Sequence, residues 1–402
     1  MSDNPFGFSL PGGEPPDPRD PQQVQQLLAQ LQHLLASPGG GGPVNWDLAR
    51  QVAANQLAAA GDPAVTGSQQ ESVAEALRLA DLWLEPTSAF PTGVRTTAAW
   101  NRNEWVYHTL DVWKKLCDPV AARMVGAMND LVPEGAQGGL GPMQTMVQAL
   151  GGALFGGQLG HALGSLAAEV LSAGDIGLPL GPAGTAALIP ANIAEYGEGL
   201  SIDAEQVKLY VALREAAHQR LFGHVQWLRG HVLSAVETYA NGIRVDREAV
   251  EEAMSRFDPA DPESVRELQV EGIFSPESSP EQTAALARLE TALALVEGWV
   301  CHLVDAAATG RLPDAVKLAE AFRRRRAAGG PAEQTFAALV GLELRPRRLR
   351  EATTLWAALT EHRGVEGRDA VWSHPDLLPT DEDFADPESF AQTPPELDFP
   401  PD

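Results

Sequence analysis

Cysteine is nearly absent from this chain: 402 residues carry only Cys117 and Cys301. That excludes a disulfide-stapled scaffold and suits a reducing compartment. Basic residues are also scarce, 29 Lys and Arg against 54 Asp and Glu, for a net charge of -25. Phosphate backbones and anionic lipid surfaces would be repelled at long range, so neither nucleic acid nor a membrane surface is an expected partner. Residues 1–20 have no basic segment followed by an apolar one. A secretory leader is therefore not expected, and a cytoplasmic setting is. Charge of either sign is missing from Gly135 to Ala168, where glycines recur four apart at 152, 156, 160 and 164. The stretch is long enough to span a bilayer, but Gln144, Gln148, Gln158 and His161 interrupt it. A buried helix packed closely through its small face is expected in place of membrane insertion.

What is present is apolar residue at helical spacing. The hydrophobic fraction of 44% is ample for a large core. Residues 1–44 read as a disordered region holding a short amphipathic helix, Gln22 to Ala36, cut off by a Gly/Pro run. Residues 45–372 read as the folded domain, and 373–402 as a disordered acidic tail. Within the domain, helices are expected over 47–60, 68–84, 97–128, 203–223, 227–239 and 282–308, and 336–342, 346–361 and 367–372 finish the fold. Trp100, Trp105 and Trp113 are expected in the core. The best strand candidate is 185–195, which Pro190 demotes to an edge. The run Arg323 to Arg326 reads as a solvated helix face or as a partner for acidic segments of the chain.

One helical turn carries chemistry: Arg214-Glu215-Ala216-Ala217-His218. It has the form of the zinc-binding turn His-Glu-x-x-His with arginine in the first position. Positions i and i+4 share a helical face, so two imidazoles can grip one ion while the Glu between them reaches its water. A third ligand from a later helix is offered by Glu297, followed by Gly298, with Asp305 placed to orient an imidazole from the second shell. His224 and His302 are alternative ligands. Each diverges on a continuous helix, His224 by about 240° from His218 and His302 by about 140° from Glu297.

Several runs together resemble the bacterial zincin-like metallopeptidase family, long catalogued as a domain of unknown function. They are Gly177-Leu-Pro-Leu-Gly-Pro-Ala-Gly-Thr185, Ala191-Asn-Ile193, Leu213-Arg-Glu-Ala-Ala-His-Gln-Arg-Leu-Phe222, Trp227-Leu-Arg229 and Val296-Glu-Gly-Trp299. The resemblance implies a mainly α, zincin-like fold with a minimal β-sheet beside the active-site helix. It implies Glu215 as general base, His218 and Glu297 as zinc ligands, and Arg214 in the place of the third ligand. A peptide or protein would lie along the edge strand at Ala186, Leu188, Ile189 and Ile193.

The substitution at 214 is not neutral. A guanidinium cannot ligate a metal or lose its proton. At about 5 Å from a divalent ion it is repelled by roughly 6–7 kcal/mol at an effective dielectric near 20. Two readings follow: a metallopeptidase in which Arg214 swings aside, or a metal-free scaffold in which the guanidinium takes the ion's place and the chain binds a peptide or protein without cutting it.

Overall fold

The structure is a computed structural model that describes residues 42–130, 141–242, 280–327, 348–380 and 382–393. The helix expected over 22–36, the acidic stretch 249–279 and the segment 336–342 lie outside these residues.

Helix α1 (Trp46–Ala60) starts where the Asn45 side chain accepts from the Leu48 amide at 3.0 Å, and it buries Ala49, Ala53 and Leu57 on one face. Helix α2 (Gly67–Leu84) opens with a reciprocal capping box between Thr66 and Gln69, and buries Val73, Ala76, Leu77, Ala80 and Leu84. Strand β1 (Thr96–Ala99) leads into α3 (Arg102–Asp130), so the helix expected from residue 97 begins later than its apolar spacing suggested. The extra residues are Thr-Thr-Ala-Ala, which pair in a parallel register of Thr96 with Thr185 and Ala99 with Leu188 on β2 (Thr185–Leu188). Trp100, Trp105 and Trp113 are buried.

The charge-free stretch forms α4 (Gly141–Ala167), which packs on α1. Its glycines are the contact seam. A Cβ on Gly156 would stand 2.5 Å from the Asn45 carbonyl oxygen, and one on Gly160 would stand 2.5 Å from that of Ala49. Backbone meets backbone there because no side chain intervenes.

Pro190 does not interrupt a strand. It occupies the first turn of α5 (Pro190–Glu198), a position where its missing N–H costs nothing. Nor is β2 an edge. β1 pairs on one side, and on the other the Ala173 amide donates to the Ala187 carbonyl and the Ile189 amide to that of Leu171, both at 2.9 Å. The outer side of β1 is also closed, since the Ala99 amide donates to the Gln70 side chain at 2.9 Å.

The central element is α6 (Ala204–His224), capped by Asp203, whose carboxylate accepts from the Glu205 and Gln206 amides. Gln206 does not return the bond to the cap; its side chain pairs with Asp314. Every residue from Tyr210 to His218 is buried, so the helix is enclosed on all faces. Around it stand α2, α7 (Gln226–Gly242), α8 (Pro280–Ala308) and α9 (Ala315–Ala327). Helix α8 is long and apolar enough to cross a membrane, but 72% of that apolar window is buried inside the fold. Helix α10 (Leu349–Asp369) covers α8 and turns at Gly364, whose φ of 69° is left-handed.

Residues 374–380 and 382–393, from the stretch expected to be a disordered tail, are folded. Helix α11 (Pro387–Gln392) lies against α10, where the Arg363 guanidinium donates to the Ala391 carbonyl at 2.8 Å and Phe384 and Ala391 are buried. Pro375 and Pro387 open short helical turns here. The domain therefore runs past 372.

Two glycines on α4 separate packing from propensity. Gly160→Leu is expected to lower stability by about 1–3 kcal/mol, because the added side chain overpacks the seam. A Cβ on Gly157 meets nothing within 4 Å. Gly157→Ala is expected to raise stability by about 0.5–1 kcal/mol. Chemical denaturation of both variants checks this; equal effects would contradict the seam.

Candidate functional site

Enclosing α6 on all sides forces its polar residues to find partners inside the protein. Arg214, Glu215 and His218 are each 3% exposed or less. Arg214 and His218 share one face, as their spacing requires, and that face meets α8 at Glu297. The Arg214 guanidinium donates from Nη2 to Glu297 Oε2 at 2.6 Å, and His218 Nε2 lies 2.9 Å from Glu297 Oε1. Arg214 Nη1 also reaches the Cys301 thiol at 3.5 Å, and its guanidinium lies over the Phe322 ring.

A second guanidinium arrives from α9. Arg326 Nη2 stands 3.0 Å from Glu297 Oε1 and also donates to the Asp175 carbonyl. Its neighbour Arg325 pairs with the Asp175 carboxylate at 2.8 Å. The arginine run is thus not simply a solvated face. Four consecutive residues on a helix sweep about 300°, so some must turn inward. Arg324 is exposed, while Arg325 and Arg326 pin the last turn of α9 onto the 169–175 segment.

Two cations therefore meet one buried carboxylate. Burial alone would raise the Glu297 pKa, but Arg326, Arg214 and His218 outweigh it and hold the carboxyl well below its ordinary range. Burial works against charge on Arg214 as well, and Glu297 reverses that. Glu215 faces away from this pair. It accepts from the Gly174 amide at 2.8 Å and from the Gln219 side chain at 2.9 Å. Burial still leaves its pKa raised, against the pull of His218 and these bonds.

Two glycines in the 173–178 loop make room for the carboxylates. Gly177 has a φ of 78°, and a Cβ there would stand 2.7 Å from Glu297 Oε1. A Cβ on Gly174 would stand 3.1 Å from Glu215 Oε2. Gly298 serves packing: its Cβ would meet that of Ala352 on α10 at 2.6 Å.

The other candidates are elsewhere. His224 stacks on Phe90 and its Nδ1 faces the Arg220 carbonyl at 2.8 Å. His302 pairs with the Thr360 hydroxyl at 2.8 Å, on the side of α8 that meets α10. Neither joins Glu297, as the helical angles required. Asp305 makes no bond to an imidazole; its pKa is raised by burial and eased by Arg323 and Arg214. Ala186, Leu188, Ile189 and Ile193 are buried, and the strand holding the first two is paired on both sides, so a peptide cannot add to it.

Zinc takes three protein ligands at about 2.0–2.3 Å and keeps an open position for water. The donors here do not fit. Only His218 and Glu297 converge, and each is already spent on the other or on a guanidinium. Among the described residues no group of three His, Cys, Asp or Glu could hold a metal.

Removing one partner should rank the contacts. Glu297→Gln strands two buried cations and is expected to cost about 3–5 kcal/mol. Arg214→Met leaves the carboxylate with Arg326 and should cost less. Equal losses in urea denaturation would contradict a shared carboxylate. His302 supplies a pH test. Burial, with Arg368 nearby, lowers its pKa from 6.5 to about 4. The folded state thus disfavours its protonation, so its contribution is complete above about pH 6.5 and lost as pH falls through about 4. In a His302→Gln variant, stability should fall less steeply between those two values; an unchanged slope would contradict the shift.

No curated protein matches the chain. A crystal structure from Chloroflexus aurantiacus, described as "a putative hydrolase with a novel fold", is similar at 20% identity and a TM-score of 0.61, covering 87% of this chain and 97% of the other. At that identity the likeness speaks to the fold. A profile of the zincin-like metallopeptidase family matches residues 44–391. The match spans the folded region with the turn at 214–218 and the Glu297 helix inside it, and the chain belongs to the zincin-like metallopeptidase family.

Proposed function

We propose that this chain is a metal-free member of its family, which binds a peptide or protein partner and does not cut it. The observation that carries the reading is the 2.6 Å contact between Arg214 Nη2 and Glu297 Oε2. It sets a permanent cation where the family's zinc turn would supply an imidazole. Arg326 on the other oxygen adds a second positive charge at the same point. Divalent metal would have to displace both guanidinia and strand them in a buried site. Glu215 has both oxygens engaged, which suits a structural carboxylate better than a base waiting for water. The two buried, unpaired cysteines suit a cytoplasmic setting.

The family match favours a second reading, zinc-dependent hydrolysis of a peptide bond with Glu215 as base and His218 and Glu297 as ligands. It requires Arg214 and Arg326 to leave Glu297 together.

Elemental analysis after purification in zinc-supplemented medium distinguishes them. The wild-type chain is expected to carry far less than one zinc per molecule, and added zinc should not raise its melting temperature. An Arg214→His, Arg326→Ala double variant is expected to take up zinc, because both obstructing charges are gone and the second imidazole is restored. Stoichiometric zinc in the wild type would overturn the metal-free reading.

A further inference from the structure

Beside the ion cluster runs a narrow cleft of about 40 Å³, room for little more than a water or two. One wall is the loop that includes Gly174, Leu178 and Leu180; the other is the end of α6, with His218 and Phe222, and the first turn of α7, with Arg229. No Asp or Glu lines it, in a chain whose net charge is -25. Arg229 is half-buried, and no carboxylate among the described residues pairs with it. The other inward-turned arginines of this region, Arg214, Arg325 and Arg326, each have one. His218 borders the same cleft, and its buried Nδ1 finds no hydrogen-bond partner among the described residues. Partial burial with nothing to offset it pulls the Arg229 pKa down. A guanidinium left this way is completed by an oxyanion, and its planar fork matches a carboxylate with two parallel hydrogen bonds. The partly exposed Phe222 ring would sit against a short apolar group next to it.

We propose that this cleft recognises a carboxylate, with Arg229 as its counter-ion: the C-terminal carboxylate of a peptide or a small free carboxylic acid. This deepens the binding reading above and rests on it only in taking the ligand as held, not hydrolysed. The cleft is too narrow for a folded segment, so the group that enters is a chain end or a small molecule.

Calorimetric titration of the full chain tests this with three ligands: N-acetyl-glycyl-alanine, its C-terminal amide, and propionate. The peptide acid is expected to bind and the amide to bind at least about tenfold more weakly, since the charge-assisted pair is lost. Arg229→Gln should lose about tenfold or more for the acid, and Arg229→Lys should recover part of it by keeping the charge. Propionate binding as tightly as the peptide acid assigns the site to small acids; weaker propionate binding assigns it to peptide ends. Absence of binding by either acid overturns the proposal. So does equal binding of acid and amide, or an Arg229→Gln chain of unchanged melting temperature that binds as the wild type does. Zinc found in the wild type alongside the expected Arg229 series would remove the metal-free reading and leave the carboxylate site standing. A zinc-free chain indifferent to these ligands would do the reverse.

Discussion

A single carboxylate, Glu297, is shared by two guanidinia in the interior, and the arrangement around it follows from that shared contact. Helix α6 is enclosed on every side, so its arginine and histidine cannot turn to water. An unpaired charge there would cost several kcal/mol even after relaxation. The 173–177 loop bends in close through glycine, and α9 is tied down by Arg325 and Arg326. Elements distant in sequence meet because the ionic groups on each require the others. The motif turn thus organises the fold locally whether or not it performs chemistry.

Much of this was legible in the sequence where a local rule decides. The spacing of Arg214 and His218 fixes them on one helical face, and the Glu-Gly pair at 297–298 marked the facing helix. The four-residue glycine repeat in α4 announced a close helix contact, and α1 supplies it. The failures are non-local. A four-residue strand at 96–99 is set by its partner at 185–188, not by its own composition. Pro190 reads equally as a strand breaker or a helix start, and the observed helix makes it the latter. Pro190 also made the strand read as an edge, but the strand ends before it and the 171–173 segment closes its other side. Arg326 was hidden in a run that reads as solvated surface; the only signal was that four adjacent helical residues cannot all face outward. The prolines of this stretch suggested disorder, but Pro375 and Pro387 open short helical turns capped by His374 and Asp386.

On the metal-free reading proposed above, this chain keeps a positive centre at the meeting point of two helices and changes what supplies it. An ion offers an open coordination position, and a guanidinium does not. The carboxylate that would serve as base is likewise engaged by Gly174 and Gln219. On that reading, the role of the point shifts from activating water to holding a fixed charge. On the same reading the neighbouring cleft, whose Arg229 pairs with no carboxylate among the described residues, is the part of the region proposed to take a ligand.

The most direct measurement is anomalous X-ray scattering at the zinc edge from crystals grown with excess zinc. The account predicts no zinc peak between His218 and Glu297, with Arg214 and Arg326 guanidinium density on the Glu297 carboxylate. A zinc peak at bonding distance from both residues, with Arg214 turned away, would contradict it.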